Sequence, residues 1–138
     1  MPDPLLLLVE DNVDDVALAE RALVRGGVRA ELKVARNGKE AWTLLSSLLP
    51  GAARPKAVFL DLNMPGSNGF DLLARVRADH AMTGMPVVVL TTSKEPSDIE
   101  RSYRLGANSF VTKPLDFKKF SEVFASMSAY WLGVNETI

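Results

Sequence analysis

Cysteine is absent from the sequence, and histidine occurs once, at His80. Disulfides, thiolate metal sites, His-based metal clusters and histidine dyads are therefore excluded. Lys and Arg number 16 against 17 for Asp and Glu, a formal net charge of −1. The chain thus lacks the global basic field that a sequence-blind nucleic-acid binder carries, and no DNA partner is expected. Long hydrophobic runs are missing too. The N-terminal run Leu5 to Val9 is far too short to span a membrane and stops at Glu10-Asp11. No basic segment or small-residue cleavage site marks a signal peptide, so a cytoplasmic protein without membrane contact is expected. His80 lies in a polar stretch and should be solvated.

What is present suits a single domain. The 138 residues are 47% apolar and 24% charged, enough for a proper core. The stretch Val58-Phe59-Leu60-Asp61-Leu62-Asn63-Met64-Pro65-Gly66 organises the rest. Apolar residues run into one aspartate, Asn63 follows at a spacing of two, and a Pro-Gly turn closes the segment. That pattern reads as a buried strand delivering its last side chain to a loop surface.

Elsewhere, apolar runs alternate with helical periodicity. Leu5 to Val9 reads as a first strand. Asn12 can cap a helix carrying Val16, Ala19 and Leu23, with Asp14 and Asp15 as helix-start charges near the positive end of the dipole; Gly26-Gly27 ends it. Leu32 and Val34 suggest a half-buried second strand. Ala41, Leu44, Leu45 and Leu48 stripe a second helix that ends before Pro50-Gly51. After the Ala57–Leu60 strand, a third helix starts near Asn68-Gly69 and carries Phe70, Leu73 and Val76. Val87 to Leu90 reads as a strand buried on both faces. Pro96 opens a fourth helix that stops at Gly106. Ser109 to Thr112 is a short fifth strand, and a last helix runs from about Asp116 to about Leu132. Five alternations imply parallel strands with crossover helices on both faces, a three-layer α/β/α sandwich with the third and fourth strands central.

In such a sheet, ligands bind beside the carboxyl ends of the strands. The first strand ends on Glu10 and Asp11, the third on Asp61 with Asn63 beyond, the fourth on Thr91 and the fifth on Lys113. Three carboxylates in one crevice repel unless a cation joins them. An all-oxygen set suits a hard divalent ion, and Mg2+ prefers one or two carboxylates, waters and a phosphoryl oxygen. The backbone carbonyl of Asn63 could add a ligand. Lys113 supplies a compact positive charge for Asp61 at rest and for a phosphoryl group later, and Thr91 a hydrogen-bond donor. Together these parts suit phosphoryl transfer onto a carboxylate.

Four motifs resemble the bacterial response-regulator receiver domain, the fold of the chemotaxis regulator. They are Val9-Glu10-Asp11-Asn12, Leu60-Asp61-Leu62-Asn63-Met64-Pro65, Val88-Val89-Leu90-Thr91-Thr92 and Phe110-Val111-Thr112-Lys113-Pro114. The resemblance covers about residues 4 to 130. It implies a flavodoxin-like strand order, 2-1-3-4-5. It also implies that Asp61 is the phosphoacceptor, that Glu10, Asp11, Asp61 and the Asn63 carbonyl hold Mg2+, and that Thr91 and Lys113 contact the phosphoryl oxygens. Phe110, three before the lysine, would be the switch aromatic. A sensor histidine kinase would be the partner, and the protein would act as a regulator that catalyses only its own phosphorylation and dephosphorylation. Residues 1–138 would form one receiver domain, with 130–138 extending the last helix. The Glu10-to-Asp61 separation and the aromatic tail Tyr130-Trp131-Leu132 resemble the short regulators that accompany bacterial phytochromes. Asn63 and Ser93 lie where they could tune the hydrolysis rate.

Other functions fit less well. A metal-dependent aspartyl-phosphate hydrolase would use a second Asp as general acid where this chain has Asn63, which cannot donate that proton. A flavin carrier on the same fold needs a Ser/Thr/Gly-rich phosphate loop, where this chain has Glu10-Asp11 and Asp14-Asp15. A receiver-like protein that signals without phosphate would not need the intact acid, Thr and Lys set. In the last helix, Phe117, Phe120, Phe124, Met127 and Trp131 form one stripe, and Phe120, Val123, Met127, Tyr130 and Val134 form a second beside it. Two stripes are wider than one sheet contact needs, so a symmetric dimer through the fourth strand, last helix and C-terminal tail is expected.

Overall fold

The computed structural model describes residues 3–48, 54–64 and 67–137. The Pro50-Gly51 helix stop and the Pro65-Gly66 turn expected above lie outside those residues. Five parallel strands, β1 (Leu5–Val9), β2 (Glu31–Ala35), β3 (Ala57–Leu60), β4 (Val87–Thr91) and β5 (Ser109–Thr112), form one sheet in the order β2-β1-β3-β4-β5. Five helices connect and flank them: α1 (Val13–Arg25), α2 (Gly38–Leu48), α3 (Gly69–Ala78), α4 (Pro96–Arg104) and α5 (Phe117–Ala129). A two-residue antiparallel ladder, Asn63–Met64 with Ser67–Asn68, sits between β3 and α3. The expected flavodoxin-like α/β/α sandwich is borne out.

Alternate residues of β1 divide the core. Leu7 and Val9 face α2 and α3 with Leu45, Leu60, Leu73 and Val76, while Leu6 and Leu8 face α1 and α5 with Ala19, Phe59, Phe120 and Phe124. Phe124 stacks on Phe120, centroids 6.0 Å apart, and meets Phe59 edge-on at 5.3 Å. Burying a large apolar side chain in this way contributes about 1.5–3 kcal/mol. The α1–α5 contact is close: a Cβ on Gly26 would lie 2.8 Å from the Cβ of Ala125. Glycine is therefore required there by space, not by backbone angle.

The helix starts are fixed by the residues the sequence suggested. Asn12 Oδ1 accepts from the Asp14 and Asp15 N–H groups, Asn68 from Phe70, and Asp116 from Lys118. Each satisfies backbone donors that have no partner inside the helix. An Asn37–Glu40 pair does the same reciprocally before α2: Asn37 Oδ1 accepts from the Glu40 N–H, and Glu40 Oε1 from the Arg36 N–H.

The last helix departs from expectation in two ways. Its α-helical hydrogen bonding ends at Ala129, and Tyr130–Val134 continues as a single π-helical turn. Phe117, which shares a stripe with Phe120 and Phe124, is 70% exposed, whereas Phe120 and Phe124 are buried. Phe117 is the first residue of the helix. Tyr130 and Val134 are exposed, while Met127, Trp131 and Leu132 pack partly against the α1–α5 core.

Candidate functional site

Register sets the site. Val9 lies beside Leu60, Leu60 beside Val89, and Thr91 beside Thr112. The ladder continues one residue beyond these strands: the Glu10 N–H donates to Ala35 O, Asp61 to Val9 O and Lys113 to Thr91 O, at 2.9, 3.1 and 2.7 Å. Backbone pairing therefore holds the first residue after β1, β3 and β5 at one level, with Thr91 at the end of β4. Glu10, Asp61, Thr91 and Lys113 are all buried, so polar side chains converge in a place largely closed to water.

Lys113 is the hub. Its Nζ donates to Asp61 Oδ2 at 3.1 Å, to Asp15 Oδ2 at 2.9 Å and to Glu10 Oε1. Burial alone would lower the lysine's pKa, but the bond to Glu10, the charges of Asp61 and Glu10 and the bond to Asp15 outweigh it and raise the pKa. For Glu10 the balance goes the other way. Burial and the adjacent Asp61 outweigh Lys113 and push its carboxyl up to about 8. One ammonium among several acids does not neutralise them all, and the most deeply buried acid keeps its proton most readily.

Asp61 is engaged through both oxygens. Oδ1 accepts from the Asn63 N–H at 3.1 Å and Oδ2 from Lys113. Above it, α3 begins very close: a Cβ on Gly69 would meet the Asp61 carbonyl at 2.7 Å. Thr91 Oγ1 accepts from Asn63 Nδ2 at 3.3 Å and is fully buried. Phe110 lies one strand over, half-buried against Leu62, Phe70 and Val89, and its N–H donates to the Tyr103 hydroxyl at 3.1 Å. Ser93 turns to α4, donating to Asp98 Oδ2 at 2.6 Å. His80 is exposed, as expected.

A carboxylate oxygen from each of Glu10, Asp11 and Asp61 lies within 4.8 Å of the other two. An octahedral Mg2+ with ligands at about 2.1 Å separates its ligand oxygens by about 3 to 4.2 Å. The three carboxylates are thus close enough together for one ion to engage them. The donors are all oxygens, and a cation would offset the negative charge of Asp61 that adds to burial in raising the Glu10 pKa. The residues present therefore fit a hard divalent ion.

All seven residues singled out in the sequence, Glu10, Asp11, Asp61, Asn63, Thr91, Phe110 and Lys113, fall in or beside this crevice. The sequence reading missed the contact between Asp15 and Lys113 and the close approach of Gly69 to Asp61. Acids are common in the first turn of a helix, so nothing in the spacing singled out Asp15.

The response regulator receiver domain model matches residues 6–125. The probable methanogenesis regulatory protein FilR2 of Methanothrix harundinacea is 37% identical over 98% of this chain and 88% of its own. Response regulator Rcp1 of Synechocystis is 32% identical over 95% of this chain and 90% of its own. The Mn2+-bound crystal structure of Rcp1 superposes with a TM-score of 0.86 at 31% identity, covering 99% of both chains. The crystal structure of the phosphorylated cyanobacterial phytochrome response regulator RcpA gives a TM-score of 0.89 at 33% identity over 98% of both.

Proposed function

The chain belongs to the response regulator receiver domain family, whose general activity is to accept a phosphoryl group on an aspartate, and we propose that the acceptor here is Asp61. The observation that carries this reading is the position of Asp61, at the end of a central strand with one carboxylate oxygen 3.1 Å from the Lys113 ammonium. Glu10, Asp11, Asp61 and the carbonyl of Asn63 would hold Mg2+. When bound, the ion would supply charge neutralisation for the incoming phosphoryl oxygens. The superposition on Mn2+-bound Rcp1 supports a divalent ion at the acidic cluster.

In the reaction, an Asp61 oxygen attacks phosphorus as the N–P bond of a donor phosphohistidine breaks. The imidazole leaves with the electron pair and takes a proton, and an acyl phosphate forms. Lys113 pairs with the phosphoryl oxygens, and Thr91 donates its hydroxyl to one of them. Moving Thr91 leaves space at the end of β4, and Phe110 follows inward, changing the face formed by α4, β5 and α5. Water then cleaves the acyl phosphate, releasing inorganic phosphate and restoring the carboxylate. In this reading the protein turns over only its own phosphoryl group, and it is a switch, not an enzyme for other substrates.

The donor is a sensor histidine kinase, of phytochrome type by the likeness to RcpA. A cytoplasmic location goes with that donor, and among the described residues no helix is long and apolar enough to cross a membrane. A homodimer through the last helix and C-terminal tail is supported by Tyr130 and Val134, which stay exposed beside the partly buried Met127 and Trp131. The test is transfer from a radiolabelled phytochrome-type histidine kinase. Label should pass to wild type with Mg2+ and not to Asp61→Asn; equal labelling of both would place the acceptor elsewhere.

A further inference from the structure

Asp15 lies in the first turn of α1, with Asp14 beside it, and a charge there needs no target beyond the positive end of the helix dipole. The two acids nevertheless behave differently. Asp14 is exposed, whereas Asp15 reaches into the crevice and accepts from Lys113 Nζ at 2.9 Å, across 98 residues of sequence. Its side chain is 26% exposed, compared with 6% for the lysine. An ammonium has three N–H donors. Here each has one carboxylate acceptor, supplied by the end of β1, the end of β3 and the first turn of α1.

These three acceptors differ in what else they must do. Glu10 and Asp61 belong to the oxygen cluster that fits a divalent ion, and Asp15 does not. Asp61 also gives up its carboxylate oxygen as an acceptor when it becomes an acyl phosphate, and the negative charge moves out onto the phosphoryl oxygens. Of the three anchors, only Asp15 has no second task. Its own position is set by backbone, since its N–H donates to Asn12 Oδ1 at 3.1 Å. Lysine has four side-chain torsions and loses much freedom on ordering, so an anchor that persists while the others are recruited keeps its ammonium in place.

We infer that Asp15 is a positioning residue for phosphoryl transfer: through one hydrogen-bonded ion pair it holds the Lys113 ammonium against the Asp61 side of the crevice, while Glu10 and Asp61 turn to the cation and the phosphoryl group. This rests on the assignment of Asp61 and Lys113 above. It gives Asp15 a role that the first-turn charge alone does not.

The test compares full-length wild type, Asp15→Asn, Asp15→Glu and Asp14→Ala. Phosphorylation by acetyl phosphate is followed at saturating donor, Mg2+ affinity by calorimetry, and the Lys113 ammonium by 15N-detected NMR. Asp15→Asn should slow phosphorylation about tenfold, the scale of one hydrogen bond to a charged group. Its Mg2+ affinity should stay within about threefold of wild type, because the residue lies outside the cation cluster, and its Lys113 ammonium protons should exchange faster. Asp15→Glu should recover most of the rate, and Asp14→Ala should match wild type. An unchanged rate in Asp15→Asn overturns the inference, as does an equal loss in Asp14→Ala, which would leave only a helix-dipole effect. A fall in Mg2+ affinity matching the fall in rate also overturns it, since Asp15 would then act through the cation. If wild type itself takes no phosphoryl group, the acceptor reading fails, and the ammonium exchange rates alone decide whether Asp15 holds Lys113.

Discussion

Asn63 Nδ2 donates to Thr91 Oγ1 at 3.3 Å, joining the residue two past Asp61 to the last residue of β4. The bond holds the Thr91 hydroxyl at rest, and Thr91 must leave it to reach a phosphoryl oxygen. Asn63→Ala keeps the backbone carbonyl but removes this restraint. A partly exposed hydrogen bond of this kind is worth about 0.5–1 kcal/mol net, so the released rotamer of Thr91 should gain about two- to fivefold in population. Methyl NMR of Thr91 in the unphosphorylated protein measures it; an unchanged rotamer ratio would show that Asn63 does not restrain the switch.

Gly69 stands where α3 passes over the acid. Its φ is ordinary, and the constraint is space, since a Cβ would meet the Asp61 carbonyl at 2.7 Å and Leu62 Cα at 3.0 Å. Both obstacles are backbone, so the loop carrying Asp61 must move. Gly69→Ala should cost about 1–3 kcal/mol, typical of overpacking, and should slow phosphorylation by displacing the acceptor. Urea melts with an unchanged slope and a lower midpoint are expected; a midpoint at or above wild type would contradict this.

The pH dependence follows from Glu10. Burial, with Asp61 beside it, raises its pKa from 4.5 to about 8 in the folded protein. Folded chains therefore hold a proton that unfolded chains have lost between those values. Stability from this group is full below pH 4.5 and is lost as pH rises toward 8 in cation-free protein. The raised pKa of Lys113 makes a contribution of its own that is lost only in strongly alkaline solution, outside this window. Mg2+ should displace the Glu10 proton, so the rise in Tm on adding Mg2+ should be larger at pH 8 than at pH 6. Thermal scans with and without Mg2+ at both values decide the point, and an equal or larger increment at pH 6 would contradict it.

The strand-end acids, the threonine and the lysine were legible because each apolar run stops abruptly on a polar residue, and parallel pairing sends every such end to one side. The cap at Asn12 and the helix starts near Asn68 and Asp116 were legible for a similarly local reason. The Asp15–Lys113 and Arg77 contacts were not. Arg77 donates to Gly106 O, Met85 O and Asn108 Oδ1 at 2.8, 2.8 and 2.6 Å, tying α3 to the segments entering β4 and β5. Such pairings depend on how helices settle against a finished sheet, and no periodicity encodes them. The tail shows a further limit: the two stripes of α5 have the same spacing, yet the structure buries Phe124 and leaves Tyr130 and Val134 exposed.

Those exposed residues carry the dimer proposal to a direct check. Light scattering across a concentration series should approach the mass of two chains, and a Tyr130→Asp, Val134→Asp double variant should stay at one chain with its fold intact by circular dichroism, because a buried charge at a dimer contact is costly. A concentration-independent monomer mass in wild type would remove the dimer.

The most direct measurement of the acceptor chemistry is intact mass after incubation with acetyl phosphate and Mg2+, for wild type and Asp61→Asn. Wild type should gain one phosphoryl group, the gain should disappear with EDTA, and Asp61→Asn should gain none. A phosphoryl adduct on Asp61→Asn, or wild type showing neither an adduct nor Mg2+-dependent release of phosphate from acetyl phosphate, would contradict the assignment of Asp61 as the acceptor.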